Sequence, residues 1–139
     1  NPAFTRRTYD ELLRRAEVFL NEDNRDSLVL DASYQSQMER DRLRQRLAGK
    51  CRLLFIHCTC AESTVKQRLA ERAADPHAVS DGRWEIYMFQ KEHFMPPDDL
   101  AAEQLLTVDT DRPLAEMLAE LEQAVQEKDN WAQAGKSMP

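Results

Sequence analysis

An aspartate follows a short apolar run in the first third of the chain. The stretch Ser27–Tyr34 has the sequence SLVLDASY, so Asp31 comes directly after the apolar residues 28–30. A carboxylate at the end of a buried strand can accept a proton from a hydroxyl group or hold a metal-bound water, two roles that aspartate takes in phosphoryl transfer. The alternative is that Asp31 caps the following turn by accepting backbone N–H bonds near Ser33. The position of the residue favours the first role.

Two arginines four residues apart could bind phosphate. Arg68 and Arg72 share one face of a predicted helix, beside its apolar stripe. Guanidinium groups at this spacing could bind phosphate oxygens and offset the charge that develops in phosphoryl transfer. Pairing with neighbouring acidic residues on a solvated face is the alternative, and the spacing by itself slightly favours it.

Other arginines have weaker signals. Arg112 lies between Asp111 and Pro113, where its guanidinium could stack on a flat ligand, although a surface residue at the start of a helix fits equally well. Arginines alternate along residues 40–46 and therefore point around a predicted helix rather than along one face, which predicts mostly solvated side chains.

The late stretch Gly135-Lys136-Ser137 resembles the end of a GxxxxGK[ST] phosphate loop. Asn130 stands where that pattern has its first glycine, and no predicted strand precedes the stretch and no predicted helix follows it. These departures predict that it is not a phosphate-binding loop.

Composition narrows the class of protein. A formal net charge of −6 argues against nucleic-acid binding, which needs a basic footprint. The three cysteines do not suggest a secreted disulfide framework, and His57-Cys58-Thr59-Cys60 lacks a recognisable zinc spacing, so no metal site is predicted. The chain has no apolar run long enough to span a membrane and no signal peptide at Asn1, which predicts a cytoplasmic protein without a membrane partner.

Periodicity predicts the elements that position these residues. Helices are expected at residues 8–20, 36–47, 65–73, 84–94 and 114–125, and short buried strands at 28–30, 53–56 and 105–108. Thr8 with Glu11 and Ser36 with Glu39 match capping boxes, and Gly49 is a C-cap candidate.

Alternation of strands and helices predicts an α/β fold with a three-layer parallel sheet and flanking helices. Chemistry in such sheets gathers beyond the carboxyl ends of the strands, which directs attention to Asp31, residues 57–60 and residues 109–112. We expect one domain over residues 1–139, with a core at about 5–125 and a flexible polar tail at 130–139.

Four stretches in this order resemble the AAA-type P-loop kinases of the zeta-toxin-like group. They are TYDELLRRAEVFL, SLVLDASY, LLFIHCTCAESTVKQRLAERAADP and LLTVDTDRPLAEML, and the resemblance covers about residues 5–125. It is strongest to the ATP-binding kinase-like domain that is often fused to an aminoglycoside-phosphotransferase-like domain. The resemblance implies ATP with Mg²⁺ as donor and a small hydroxyl compound as acceptor.

The resemblance also implies roles for residues. Asp31 would contact the acceptor or magnesium, Arg68 and Arg72 would belong to the lid, and the loop from Thr110 to Arg112 would lie near adenine. In this family a strand and a phosphate loop come before the region matched here, so we expect a domain truncated at that strand and inactive in isolation. The alternative is a non-catalytic interaction module, and an exposed sheet edge would favour self-association.

Overall fold

A computed structural model describes residues 2–22, 27–75 and 83–136. The chain divides into two compact units. Unit 1 comprises Asn1–Leu53 with His93–Asp99, and unit 2 comprises Leu54–Glu92 with Leu100–Pro139. Each unit is described by itself, and the predicted connection at residues 76–82 lies outside the described residues.

The described residues of unit 1 include two α-helices that contact each other. Helix α1 spans Pro2–Asn21 and helix α2 spans Gln37–Leu47. The apolar stripe predicted for α1 is confirmed at Leu13 and Ala16, which are buried. The capping box predicted at residues 8–11 is wrong, because α1 begins at Pro2 and this pair lies inside the helix.

Arg40 of α2 is buried, with only 2% of its surface exposed, so the prediction that these arginines are mostly solvated is wrong for this residue. Its guanidinium donates to the Asp99 carboxylate from Nε at 3.0 Å and from Nη2 at 2.5 Å. Nη1 also donates to the carbonyl oxygens of Tyr34 at 2.8 Å and Met95 at 3.1 Å, and Nη2 donates to that of Pro96 at 3.2 Å. One side chain thus joins the start of α2 to the segment 95–99.

The burial of Arg40 follows from its place on the helix. It shares a face with Leu43 and Leu47, which are also buried, because the three are spaced i, i+3 and i+7. The next arginines of the run are paired with acidic groups: Arg42 with Asp10 and Arg46 with Glu17, both on α1. These arginines of α2 therefore connect the helix to α1 and to the segment 95–99.

The ends of α2 lie where the sequence predicts them, but the capping box predicted at Ser36 and Glu39 is not formed. Ser36 occupies the N-cap position, although its side chain makes no capping hydrogen bond. The helix ends at Leu47, and Gly49 has φ +73°, the left-handed conformation in which glycine commonly terminates a helix.

Replacing Gly49 with alanine is expected to lower the free energy of unfolding by about 1 kcal/mol, because an L side chain disfavours positive φ. Nothing lies within 4 Å of the added Cβ, so the cost comes from the backbone rather than from a clash. Urea unfolding measures it. Gly49→Asn is the control, since asparagine enters this conformation more readily, and equal losses for both variants would contradict the explanation.

The strand predicted at residues 28–30 is absent from the structure. This stretch has no regular secondary structure, and Val29 is 85% exposed. A strand requires a hydrogen-bonded neighbour, and no described segment pairs with it. An apolar run thus indicates a tendency to form a strand, but a strand forms only where a second segment pairs with it.

In its described part, unit 2 contains a two-stranded parallel sheet, whereas three strands were predicted for the whole chain. Strand β1 spans Phe55–Thr59 and strand β2 spans Leu105–Asp109, in a register that pairs the first residue of each and the last of each. Strand β1 starts later than predicted because residues 53 and 54 lie before the start of β2 and have no partner. Ile56 and Cys58 are exposed, so β1 is not buried on both faces as its sequence predicts.

Among the residues of unit 2 that the structure describes, three α-helices accompany this sheet. Helix α3 spans Glu62–Ala73, α4 spans Trp84–Glu92 and α5 spans Leu114–Lys136, and a short 3-10 turn, Ala102–Gln104, precedes β2. Between α3 and α4, Lys91 pairs with Glu62, and Lys66 lies 5.5 Å from the centroid of the Trp84 ring.

Helix α5 continues beyond its predicted end. It extends to Lys136, so Gly135 and Lys136 are helical, whereas a phosphate loop connects a strand to the start of a helix. This agrees with the prediction that the late glycine-lysine-serine stretch is no phosphate loop, although Ser137 lies outside the described residues.

Among the described helices, none combines the length and apolar character of a membrane span.

Candidate functional site

The carboxyl ends of β1 and β2 meet at one edge of the parallel sheet. There the backbone N–H of Thr110 donates to the Thr59 carbonyl at 2.7 Å, and the Thr110 hydroxyl donates to the same oxygen at 3.0 Å. The Thr59 hydroxyl in turn donates to the Val108 carbonyl at 3.3 Å. These bonds continue the strand pairing by one residue and fix Thr110 just beyond the sheet.

Arg68 reaches this edge from α3. Its Nη1 donates to the Thr110 hydroxyl oxygen at 3.0 Å, and its Nη2 donates to the Thr110 carbonyl at 2.6 Å. Two predicted site residues are therefore in direct contact. The guanidinium places a positive charge beside the carboxyl ends of the strands, where parallel α/β sheets bind ligands.

Asp111 holds the start of α3 against the same edge. Its Oδ2 accepts the backbone N–H of Ala61 at 2.6 Å, while the N-cap Ala61 offers no side-chain cap of its own. A hydrogen bond from the Thr64 hydroxyl and the bond from Ala61 hold the pKa of Asp111 below its ordinary value of 3.8. A carboxylate at a helix N-terminus also interacts favourably with the helix dipole.

Asp111→Ala is expected to lower the melting temperature at neutral pH. Because the pKa of Asp111 is lowered in the folded state, its carboxylate stabilises the fold at pH values above the ordinary Asp value of 3.8. This stabilisation is lost as pH falls through the folded-state pKa. The difference between wild type and variant should therefore shrink in acid, which melting curves at several pH values measure. Asp98→Ala, at an exposed site, is the control, and a difference that persists unchanged in acid would contradict the capping role.

Arg112 is held by a neighbour on α5. Both of its terminal nitrogens donate to the Glu120 carboxylate. This pairing raises the pKa of Arg112 and lowers that of Glu120. A fork-to-fork pair uses the edges of the guanidinium and leaves its flat faces available for stacking.

Asp31 belongs to unit 1, and its surroundings differ from those of the other predicted site residues. Its carboxylate is exposed and makes no hydrogen bond to any other described residue, so the predicted turn cap is not observed. The turn is held by Tyr9 instead: its hydroxyl is hydrogen-bonded to the Ser33 hydroxyl at 2.9 Å and accepts the Tyr34 backbone N–H at 3.1 Å.

Tyr34 ends this turn in a constrained conformation. Its φ of 39° is unusual for a bulky residue, and its carbonyl oxygen accepts a bond from Arg40. Burial, together with the nearby Tyr9 and Glu39, raises the pKa of its phenol to about 12. Contacts from both helices thus fix the backbone three residues after Asp31.

Metal-binding potential is low in the part of the chain that the structure describes. It contains no group of three or more His, Cys, Asp or Glu side chains placed to hold a metal ion. Cys51, Cys58 and Cys60 are free thiols. Asp31 alone among the predicted site residues offers a carboxylate, so these residues by themselves do not fit a magnesium site.

Comparison with known proteins supplies one fold relationship. No family model matches the chain, and no curated protein sequence matches it. The crystal structure of a gluconokinase from Sinorhizobium meliloti 1021 resembles it with a TM-score of 0.63 and 23% sequence identity. The fold is kinase-like. The match covers 91% of this chain and 65% of that chain, and at this identity it shows the fold alone.

The kinase-like fold supports the P-loop-kinase resemblance at the level of scaffold. Among the predicted site residues, Arg68 contacts Thr110, and Arg112 lies in the same loop two residues later. Arg72 lies one turn farther along α3. Asp31 lies in unit 1, whereas the other four lie in unit 2.

Sequence reasoning missed the structural roles of Arg40 and Asp111. For Arg40 the available signal was its helical spacing from two leucines. For Asp111 the signal was weaker, because its partner Ala61 lies 50 residues earlier and no local pattern links the two.

Proposed function

We propose that the chain is part of an ATP-dependent small-molecule kinase, which transfers a phosphoryl group to a hydroxyl acceptor. The kinase-like fold is the observation that carries this proposal. The position of Arg68 at the carboxyl edge of the sheet supports it, because a cation there can offset the charge of a phosphate. The structural neighbour is named as a gluconokinase, which is consistent with a small polyhydroxylated acceptor.

In this proposal each predicted residue has a separate role. Arg68 and Arg72 bind phosphate oxygens, and Thr110 and Arg112 lie against the nucleotide base, with the guanidinium faces of Arg112 available for stacking. Asp31 accepts the proton of the acceptor hydroxyl. The family resemblance supplies the positions of these residues in the lid, near adenine and at the acceptor, whereas their chemical roles follow from their side chains.

The proposal also requires a phosphate loop, which is not found among the described residues. The resemblance places it ahead of Thr5, and we expect the 139-residue chain to bind ATP poorly without it. Magnesium would be held chiefly by that loop and the ATP phosphates, since the described residues do not supply its ligands. The zeta-toxin-like and AAA affiliations, a cytoplasmic location and the absence of nucleic-acid or membrane partners belong to the same proposal.

A non-catalytic interaction module is the second candidate. The observation that favours it is the internal pairing of the carboxyl edge: Thr110 is bonded to Thr59 and Arg68, and Arg112 is bonded to Glu120. A scaffold that retained its fold after losing phosphate transfer would have this arrangement. Self-association through a sheet edge fits such a module, and sedimentation at increasing protein concentration tests it.

Calorimetric titration of ATP with Mg²⁺ decides between the candidates. It is carried out on the 139-residue chain and on a form extended by the upstream codons of the gene. The kinase proposal expects binding in the extended form and much weaker binding in the shorter one. Absence of binding in both would reject the kinase and retain the module.

A further inference from the structure

A cleft of about 600 Å³ lies in unit 1, beside one face of α2. This volume is within the range of about 300–1,000 Å³ that is usual for small-molecule sites, but the cleft is widely open to solvent, so a ligand would be only partly enclosed. The lining side chains of α2 are spaced i, i+1, i+4, i+5 and i+8 and so share one helical face. They are Gln37, Met38, Asp41, Arg42 and Gln45, and Ser36 and Met95 complete the lining.

Backbone hydrogen bonds fix the wall opposite α2. The N–H of Met95 donates to the Gln35 carbonyl at 3.0 Å, and the Met95 carbonyl accepts from Arg40 at 3.1 Å. Both backbone groups of Met95 are therefore held by residues at the start of α2. Because Arg40 is itself buried, this wall keeps its place without a ligand.

The charged side chains in the cleft already have counter-ions. Arg42 pairs with Asp10 of α1, and Asp41 pairs with Arg44 of α2. An anionic ligand would compete with the Asp10 carboxylate for Arg42, and because these pairs are partly exposed, this competition gives a small preference against a carboxylate or phosphate. The electrostatics of the cleft therefore favour an uncharged ligand.

Three polar side chains of the cleft are available to a ligand or to water. The side chains of Ser36, Gln37 and Gln45 make no hydrogen bond to another described residue. Each amide offers two N–H donors and a carbonyl acceptor, and the hydroxyl can both donate and accept. Ligand hydroxyl groups also donate and accept, so several of them on one molecule would match this lining.

We infer that the cleft binds an uncharged polyhydroxylated compound, such as a sugar alcohol or a cyclitol. Met38 is 70% exposed and Met95 is 46% exposed, and these thioether side chains would be covered by the C–H surface of the ligand. Asp31 lies five residues before Ser36, so no more than about 18 Å of backbone separates them. Use of this compound as the phosphoryl acceptor rests on the proposed function, whereas its binding does not.

Nuclear magnetic resonance titration of the ¹⁵N-labelled chain, without ATP, tests the binding. The uncharged probes are D-sorbitol and myo-inositol, D-gluconate is the anionic analogue of the same carbon-chain length, and 1,6-hexanediol lacks the internal hydroxyls. We expect saturable shifts of the Gln37 and Gln45 side-chain amide resonances with at least one uncharged polyol, and weaker binding of gluconate and hexanediol. Tighter binding of gluconate, or shifts that never saturate with either polyol, would overturn the inference.

Matched variants separate the cleft from other surfaces. Gln45→Leu and Gln37→Leu remove hydrogen-bonding groups at similar volume, and each should weaken polyol binding about tenfold, the effect of one lost hydrogen bond. Gln90→Leu on α4 is the control and should leave the affinity unchanged. Equal affinities in all three variants would show that polyols do not bind in this cleft. An extended form that binds polyol but neither binds ATP nor transfers phosphate would retain the cleft and reject the kinase proposal.

Discussion

Arg40→Met is expected to lower the free energy of unfolding by about 3–5 kcal/mol, the usual effect of removing one partner of a buried ion pair. The substitution leaves the Asp99 carboxylate, whose side chain is 9% exposed, with only the longer contact to Arg44 at 3.5 Å. It also removes the donor for the carbonyl oxygens of Tyr34, Met95 and Pro96. A loss of this size is a large fraction of the total stability of a small domain. Urea unfolding followed by circular dichroism measures it.

Two further variants show whether burial is the cause. Arg46→Met removes an exposed ion pair with Glu17 and should cost no more than about 1 kcal/mol. Adding Asp99→Leu to Arg40→Met removes the stranded carboxylate and should restore part of the lost stability. If Arg40→Met costs no more than Arg46→Met, the buried pair does not hold unit 1 together.

Acid provides an independent readout of the same pair. The hydrogen bond from Arg40 holds the pKa of Asp99 below its ordinary value of 3.8. A group with a lowered folded-state pKa contributes stability above its unfolded-state value and loses it as pH falls through the folded-state pKa. The wild-type protein should therefore lose stability at pH values below the ordinary Asp range, and Arg40→Met should lose most of this pH dependence, since Arg44 still lies near the Asp99 carboxylate.

The helices were predictable because their signals are local. The apolar stripe of α1, the N-cap Ser36 and the glycine after α2 can all be recognised from short windows of sequence. Strands were less predictable because each depends on a distant partner. Residues 105–108 fall within β2, whereas residues 28–30 have equal apolar character and no described neighbour.

The candidate site was predictable only in part, because some of its contacts depend on residues that are far apart in sequence. Parallel strands carry their carboxyl ends to one edge, so the sequence directed attention to residues 57–60 and 109–112. The same rule included Asp31 through a strand at residues 28–30 that the structure does not contain. The contact between Arg68 and Thr110 could not be predicted, because it depends on how α3 packs beside β2. Arg40 was misjudged because a charged residue is rarely buried, and burial here depends on acceptors 55 to 59 residues away in sequence.

In a form of the protein that transfers phosphoryl groups, Asp31→Asn is expected to lower kcat by about 10²–10⁴-fold, the usual contribution of a general base. An amide is nearly isosteric with a carboxylate but cannot accept the acceptor's proton. ATP affinity should change by less than about threefold, because the lost interaction is made only in the transition state. Steady-state kinetics together with calorimetry measure both quantities, and Asp98→Asn is the control at an exposed aspartate.

Stability distinguishes this catalytic role from a structural one. The Asp31 carboxylate makes no hydrogen bond to another described residue, and the turn after it is held by the Tyr9 hydroxyl. Asp31→Asn should therefore leave the unfolding free energy unchanged, whereas Tyr9→Phe should lower it by about 1 kcal/mol through the lost hydrogen bonds. If Asp31→Asn instead loses stability and activity in proportion, the carboxylate supports the turn and the general-base assignment fails. If only Tyr9→Phe is destabilised while Asp31→Asn alone loses turnover, the two side chains have separate roles, the tyrosine holding the turn and the aspartate acting on the substrate.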